Sequence, residues 1–197
     1  VQGVHNGQVL NSLIHHRVPY NVNNPEAALG FNTTDTITVA RSRLEFNTVR
    51  GVRVDASLTG PIAIDSSAIT DDSSNVGLQV SSPTLVTNSL IARNFVGMDV
   101  FGGAEASGIH HNNFVGNTLA ALRGQGSTPV AADSNWWNDP LGPRCLSGCT
   151  GTVGDTVSGL VTFLPFLTGL APTAPAFAPP TRTTTLPRQQ VKREGRP

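Results

Sequence analysis

The sequence predicts an all-β solenoid in which short strands wind into stacked coils. Three observations support this prediction. The 197 residues include 20 glycines and only 13% charged residues, a composition that suits β-structure with many turns better than amphipathic helices. A pattern of apolar and small polar residues recurs every 22 to 30 residues. No helical periodicity appears between the repeats.

The repeat is defined by one large apolar residue in each unit, which we call the anchor. An apolar residue stands five positions before each anchor, and a small hydrogen-bonding residue stands two positions before it. The anchors are Ile14, Leu44, Ile69, Ile91, Phe114 and Trp137; the residues five before them are Val9, Val39, Ile64, Val86, Ile109 and Ala132; the residues two before them are Ser12, Ser42, Ser67, Ser89, Asn112 and Asn135.

A bend and another short strand are predicted after each anchor. Asn and Asp tolerate left-handed backbone angles, and residues of this kind occupy most of the column three positions after the anchors: Arg17, Asn47, Asp72, Asn94, Asn117 and Pro140. A strand such as Gly-Val-Arg-Val at 51–54 follows the bend. Each unit can therefore form one coil of three short strands. Coils that stack at about 4.8 Å place equivalent side chains above one another, with apolar columns inside.

Two motifs carry a resemblance to a known family. The Val-x-x-Ser-x-Ile-x-x-Asn pattern followed by Gly-Val-x-Val resembles the repeat of the pectate-lyase-like superfamily. The segment 135–143, Asn-Trp-Trp-Asn-Asp-Pro-Leu-Gly-Pro, resembles the Asn-Trp-Trp-Gly…Gly-Pro ending of many bacterial proteins of that kind, with Asn138 in place of the usual Gly. The resemblance covers residues 3–170. It implies a right-handed parallel β-helix of about six coils of 22–25 residues.

The chain is predicted to have three segments. Residues 1–143 form the coils, with further coils expected upstream and an insertion loop near 21–36. Residues 144–170 form a C-terminal cap and loop with a last strand at 157–164, and strand alternation predicts that one Trp of the preceding pair is buried and the other exposed. Residues 171–197 are rich in Pro and Thr, and we expect them to be disordered.

The candidate catalytic residues are Asp71, Asp72 and Arg93, which fall in adjacent coils. A carboxylate pair beside a guanidinium can perform acid–base chemistry on a uronic-acid polymer, with the Arg holding the sugar carboxylate. A surface ion pair is the alternative. The resembled polygalacturonases carry partner Gly-His and Arg-x-Lys motifs that this sequence lacks. The resembled pectate lyases use calcium, but no three Asp residues share a column here.

No cofactor or metal is predicted apart from the calcium that the lyase alternative would use. Histidine pairs at 15–16 and 110–111 stand in different columns about four coils apart, which argues against a shared metal site. Cys145 and Cys149 are the two cysteines of the chain. A small-loop disulfide in an exported protein is preferred over two free thiols.

The sequence therefore favours a secreted or cell-surface module that engages polysaccharide along an exposed face and is non-catalytic in this segment. Trp136, Arg53 and Arg93 are the candidate carbohydrate contacts. The alternatives are a polysaccharide lyase or glycoside hydrolase acting on uronic-acid polymers, and a structural stalk or adhesin. Zero net charge and few charged residues argue against nucleic acid as a partner. No apolar run could span a membrane, and we expect a monomer.

Overall fold

A computed structural model of the chain describes residues 7–15, 27–31, 36–55, 60–146 and 153–176. These residues form strands and turns without a helix, so none of them belongs to a membrane-spanning helix. The strands are β1 (Gly7–Leu10), β2 (Leu13–His15), β3 (Ala27–Phe31), β4 (Ile37–Ala40), β5 (Arg43–Glu45), β6 (Arg50–Val54), β7 (Ile62–Asp65), β8 (Ala68–Thr70), β9 (Val76–Val80), β10 (Thr84–Thr87), β11 (Leu90–Ala92), β12 (Val96–Val100), β13 (Gly108–His110), β14 (Asn113–Val115), β15 (Ala120–Gly124), β16 (Val130–Ala131), β17 (Arg144–Cys145), β18 (Thr156–Gly159) and β19 (Val161–Thr162).

The strands form three parallel sheets that run along a right-handed β-helix, which confirms the predicted fold class. Sheet A has the order β1-β4-β7-β10-β13-β16-β19, sheet B the order β14-β11-β8-β5-β2, and sheet C the order β17-β18-β15-β12-β9-β6-β3. From β1 to β16, consecutive strands of the chain therefore lie in different sheets, and each strand pairs with its equivalent in a neighbouring coil.

The apolar columns have the register that the repeat predicts. Leu44 pairs with Ile69, Ile69 with Ile91 and Ile91 with Phe114 in sheet B. In sheet A the paired column runs through Val39, Ile64, Val86 and Ile109. All of these side chains belong to one buried core cluster. Burial of this continuous core stabilises the stack, since a single coil has no second layer against which to pack its apolar face.

The coil count is smaller than the predicted six. Four regular turns run from β4 to β15, preceded by a coil that is described only in part and followed by an irregular end. In the first coil, Leu29 of β3 pairs with Val52. Strand β3 therefore lies inside the segment 21–36 that the sequence assigns to an insertion loop, while residues 16–26 and 32–35 are outside the described residues. The spacing of 30 residues between the anchors Ile14 and Leu44 indicates that this coil is longer than the others, but it does not indicate where the additional residues lie.

The small polar residues two positions before the anchors form a hydrogen-bonded ladder along the corner between sheets A and B; we call it the serine–asparagine ladder. The backbone N–H of each member donates to the side-chain oxygen of the next, as from Ser42 to Ser67 at 3.2 Å and from Ser89 to Asn112 at 2.9 Å. These bonds satisfy polar groups that would otherwise be buried without partners. The members are Ser12, Ser42, Ser67, Ser89, Asn112 and Asn135.

The column three positions after the anchors forms a second buried ladder between sheets B and C, which we call the asparagine ladder. Asn94 N–H donates to Asn117 Oδ1 at 3.2 Å, and Asn117 N–H donates to Asp155 Oδ2 at 2.8 Å. The prediction that this column bends the chain through left-handed angles is wrong. In the coils, two columns of described residues have left-handed backbone angles. One stands two positions after the anchors and contains Phe46, Asp71, Arg93 and Gly116. The other stands three positions before the anchors and contains Asn11, Arg41, Ser66, Asn88, His111 and Ser134.

The glycines of the Gly-Val-x-Val strands make room for the asparagine ladder. A Cβ on Gly77 would lie 2.7 Å from Asn94 Nδ2 and 2.9 Å from the carbonyl oxygen of Gly97, and a Cβ on Gly97 would lie 3.0 Å from Asn117 Cγ. The amide of one coil therefore lies against the glycine of the previous coil. This contact explains why glycine recurs before the apolar residue of the strand.

The C-terminal end departs from the repeat. Strand β18 pairs with β15 on one side and β17 on the other, so the chain leaves the coil after Trp137, adds β17 at the edge of sheet C, and then returns. Asp155 consequently takes the ladder position that the sequence assigns to Pro140. The predicted single last strand at 157–164 is wrong, because the chain turns at Gly159 (φ 77°) and continues as β19 in sheet A.

Residues after β19 fold back over the outer face of sheet B. The N–H of Ala171 donates to Asn113 Oδ1 at 2.8 Å, and Asn113 Nδ2 donates to the Ala171 carbonyl at 3.4 Å. Ala171 is buried, as are Ala68, Leu90 and Ala92 of sheet B. The ordered chain thus extends past the predicted start of the tail at 171, whereas residues 177–197 are outside the described residues.

Candidate functional site

The outer face of sheet C carries an unbroken polar column. Parallel pairing places Arg53 beside Gln79, Gln79 beside Asp99, and Asp99 beside Arg123. The residues before and after each of them are in the core or tightly packed, so strand alternation turns these four side chains outward. We call this set, Arg53, Gln79, Asp99 and Arg123, the sheet C polar column.

Hydrogen bonds fix the orientation of the two arginines in this column. Arg123 Nη2 lies 2.5 Å from Asp99 Oδ2, and Arg123 Nε lies 3.2 Å from Asp99 Oδ1. Gln125 donates to the same carboxylate, which leaves the Asp99 side chain only 3% exposed. Arg53 Nε donates to Asp55 Oδ1 at 2.7 Å. Both guanidinium groups remain partly exposed, so they retain donors for a ligand that lies along the face.

A second arginine, Arg50, interacts electrostatically with Arg53 at the N-terminal part of the column. Burial, and then the neighbouring Arg53, lower the pKa of Arg50, while Asp99 and Asp55 act in the opposite direction. The close approach of Arg50 and Arg53 makes this part of the face suitable for anionic or strongly polar groups.

The structure does not bring the proposed catalytic carboxylates together on a surface. Arg93 Nε and Nη2 lie 2.5 and 2.7 Å from the two oxygens of Asp71, a two-point ion pair across adjacent coils. Asp72 is fully buried in the asparagine ladder, where Oδ1 accepts from the Asn47 N–H at 2.7 Å. Asp71 thus faces outward and Asp72 inward. A polymer on the surface can contact the first residue but not the second.

The three predicted carbohydrate contacts lie on separate parts of the molecule. Arg53 belongs to the sheet C polar column, and Arg93 stands at the corner after sheet B. Trp136 extends sheet B through a bridge to Asn113 and is half-buried. The other indole, of Trp137, is fully buried. The buried Trp137 agrees with the predicted division of the pair, whereas Trp136 is half-buried and not exposed. The three candidates do not form one site.

Three members of the polar column, Gln79, Asp99 and Arg123, were missing from the sequence-based candidates, as was the adjacent Gln125. The signal was present in the repeat, since Arg53, Gln79 and Asp99 occupy the x position of Gly-Val-Arg-Val, Gly-Leu-Gln-Val and Gly-Met-Asp-Val. The register between coils was needed to see that these positions stack. In addition, the equivalent segment around Arg123 is Ala-Leu-Arg-Gly, with Ala121 in place of the glycine and Gly124 in place of the last valine of the motif.

Metal and disulfide predictions remain open. The described residues include no cluster of three or more His, Cys, Asp or Glu side chains that could hold a metal ion, and a calcium site stays untested. Cys145 lies at the end of β17 and is disulfide-bonded. Cys149 is outside the described residues, so its pairing with Cys145 remains a prediction.

Comparisons with known proteins do not extend this description. No family model matches the sequence. Searches of the curated proteins and of the solved structures also find no match. The fold and the arrangement of the described side chains are therefore the basis on which a function can be argued.

Proposed function

We propose that this chain is an exported or cell-surface β-helix module of the pectate-lyase-like type, which engages polysaccharide along the outer face of sheet C without catalysing its cleavage. The observation that carries the proposal is the sheet C polar column. Its four residues lie in register on β6, β9, β12 and β15. Polar side chains therefore recur along the helix axis at about 4.8 Å, and those of Arg53, Gln79 and Arg123 are partly exposed.

This spacing suits an extended polymer. Arg53 and Arg123 stand three coils apart, about 14 Å along the axis, so a chain of several sugars can contact both ends of the column at once. Planar guanidinium and amide groups provide directional donors for hydroxyl and carboxylate oxygens. Contacts that are individually weak gain affinity when one ligand makes several of them together.

The experiment compares binding of polygalacturonate, alginate and a neutral glucan to the wild-type chain and to an Arg53→Ala/Arg123→Ala variant. We expect at least one polymer to bind and the double variant to lose at least tenfold in affinity. Arg43→Ala is the matched control, because Arg43 is 56% exposed on the outer face of sheet B, away from the column. Equal loss of affinity in the control and the double variant would contradict the proposed face.

The same preparations test the two alternatives. Formation of unsaturated products or new reducing ends from polygalacturonate would favour a lyase or hydrolase, and Asp71→Ala would show whether Asp71 contributes. Absence of both binding and cleavage across the three polymers would remove the carbohydrate proposal and leave the structural stalk. The continuous ladders and core of the four regular turns are compatible with that role as well.

A further inference from the structure

Asp72 occupies a position in the asparagine ladder where the neighbouring coils carry an amide. The column runs through Asn47, Asp72, Asn94 and Asn117, and hydrogen bonds connect each member to the next. The Asp72 side chain is fully buried. A buried carboxyl is costly unless its charge is compensated or it remains neutral.

The amides in this column have two roles. Their oxygen accepts from the backbone N–H of the previous coil, and their Nδ2 donates to the carbonyl of the anchor in that coil. Asn94 Nδ2 donates to the Ile69 carbonyl at 3.1 Å, and Asn117 Nδ2 donates to the Ile91 carbonyl at 2.9 Å. In sheet B, the anchor of the previous coil that pairs with Ile69 is Leu44. Its carbonyl is therefore the equivalent acceptor for Asp72.

Asp72 fulfils the first role with Oδ1, which accepts from Asn47. Its second oxygen, Oδ2, is buried without a hydrogen-bond partner among the described residues. It occupies the place of an amide Nδ2, directly against Gly51, where an added Cβ would approach it to 2.6 Å. An ionised carboxylate has no proton to donate there, whereas a neutral carboxylic acid has one.

By contrast, Asp155 is the last member of the same ladder, and its side chain only accepts hydrogen bonds. Its oxygens accept from the N–H of Gly116, from the N–H and Nδ2 of Asn117, and from Asn138 Nδ2. Four donors therefore converge on Asp155, whereas among the described residues Asn47 alone donates to the Asp72 carboxyl group, and Oδ2 of Asp72 has no partner. The two acids have the same position relative to the coils and opposite hydrogen-bonding requirements.

The electrostatic surroundings agree with a neutral Asp72. Burial raises the pKa of Asp72 to about 8, against the lowering effect of the Asn47 hydrogen bonds, and the neighbouring Asp71 raises it further. Arg93, from the next coil, is held by both oxygens of Asp71. On the preceding coil, Glu45 is paired with Arg43 on the outer face of sheet B, and Arg50 lies near Arg53, Asp55 and Asp99.

We propose that Asp72 is a proton-dependent tie between adjacent coils. As a neutral acid it donates from Oδ2 to the Leu44 carbonyl and completes the ladder. When Asp72 loses the proton, its Oδ2 and the Leu44 carbonyl oxygen face each other without a hydrogen bond in a corner that excludes water. The contact between the β4–β6 coil and the β7–β9 coil is then weakened. The contact between these two coils is therefore less stable in mildly alkaline than in mildly acidic solution.

The sign follows from linkage. The folded state holds a proton on Asp72 up to a pKa of about 8, whereas an unfolded chain releases it near the ordinary value of 3.8. The contribution of Asp72 to stability is therefore complete below pH 3.8, decreases as the pH rises, and is lost above about 8. Over the interval between, the equilibrium constant for unfolding rises about tenfold per pH unit from this group alone.

The first experiment measures unfolding by denaturant from pH 5 to pH 9 in the wild type and in Asp72→Asn. The amide restores the donor, so we expect the variant to be the more stable protein at pH 8 and to lose most of the wild-type pH slope. Asp71→Asn is the control and should retain most of that slope, because Asp71 has the smallest of the effects on the Asp72 pKa. Equal slopes in the wild type and Asp72→Asn would overturn the proposal.

A second measurement observes the proton directly, and its deciding result comes from the wild type. The infrared carbonyl band of a protonated carboxylic acid should be present in the folded wild type at pH 6, absent in Asp72→Asn, and lost from the wild type towards pH 9. Asn94→Asp should add a second such band. A folded wild type without the band at pH 6 would show that Asp72 is ionised and exclude the tie.

Discussion

The indole ring of Trp137 stacks on the phenyl ring of Phe114, with the ring centroids 4.7 Å apart and the ring planes 7° apart. Both side chains are fully buried. Phe114 is the last anchor of the regular coils, so Trp137 covers the end of the apolar column that would otherwise be open to water. A solenoid end without such a cover exposes apolar surface and invites association with other chains.

Trp137→Ala is expected to reduce the free energy of unfolding by about 3 to 5 kcal/mol, because it removes the largest buried side chain and leaves a cavity. Trp137→Phe should lose less, since an aromatic ring still covers Phe114. Trp136→Ala serves as the control for loss of an indole at a half-buried position. Denaturant titration would contradict this account if the two alanine variants lost the same stability.

Gly77→Ala is expected to destabilise the protein by about 1 to 3 kcal/mol, because the new methyl group meets the Asn94 amide and a backbone carbonyl in a close-packed corner. Gly30→Ala is the matched control in the same sheet, since an added Cβ there has nothing within 4 Å. Thermal unfolding of the two variants distinguishes the destabilising effect of the packing clash from the general stabilising effect of replacing glycine by alanine in a strand. A similar melting temperature for both would show that the corner relaxes.

Ile91→Asp is expected to unfold the central coils, since it places a charge in the middle of the dry core without a partner. Arg43→Ala, at an exposed pair with Glu45 that is worth less than about 1 kcal/mol, should change the stability little. Circular dichroism and a thermal melt distinguish the two results. Comparable tolerance of both substitutions would contradict the register of the strands.

Asp155→Ala is expected to cost at least about 2 kcal/mol, because it leaves the buried N–H and Nδ2 of Asn117 and the part-buried N–H of Gly116 without this acceptor. Asp155→Asn retains one acceptor oxygen and should lose less. Asp133→Ala, which removes a partly exposed partner of His110 at 3.2 Å, is the control. Hydrogen exchange should increase at residues 116 and 117 in the Asp155→Ala variant and not in the control.

Much of the fold follows from the spacing of particular residues. The columns headed by Val39 and Leu44 repeat because parallel coils bury equivalent positions. The Ser42 column repeats because each side-chain oxygen accepts a hydrogen bond from a backbone N–H of the previous coil. Both patterns are visible in one sequence. The terminal coil was harder to predict, because the chain leaves the coil between Trp137 and Asp155. The ladder position next to Asn117 is therefore filled by Asp155, which lies outside the regular sequence spacing.

The candidate site divides in the same way. The prediction that Asp71 and Arg93 are neighbours in adjacent coils is confirmed by their two-point ion pair. Adjacency in sequence nevertheless placed Asp72 beside Asp71 as a second surface carboxylate, although the left-handed backbone of Asp71 (φ 66°) lies at the corner and the next side chain is buried. The sheet C polar column became apparent only when the coils were aligned by hydrogen bonding.

The sequence by itself determined that the chain winds into coils and which apolar side chains fill them, because burial of one face imposes a period that a single chain displays. The tertiary structure alone decided which polar side chains face solvent and which are enclosed. Asn, Asp and Ser have similar polarity in any position, and only the packing of the next coil determines whether water or a neighbouring backbone group satisfies them.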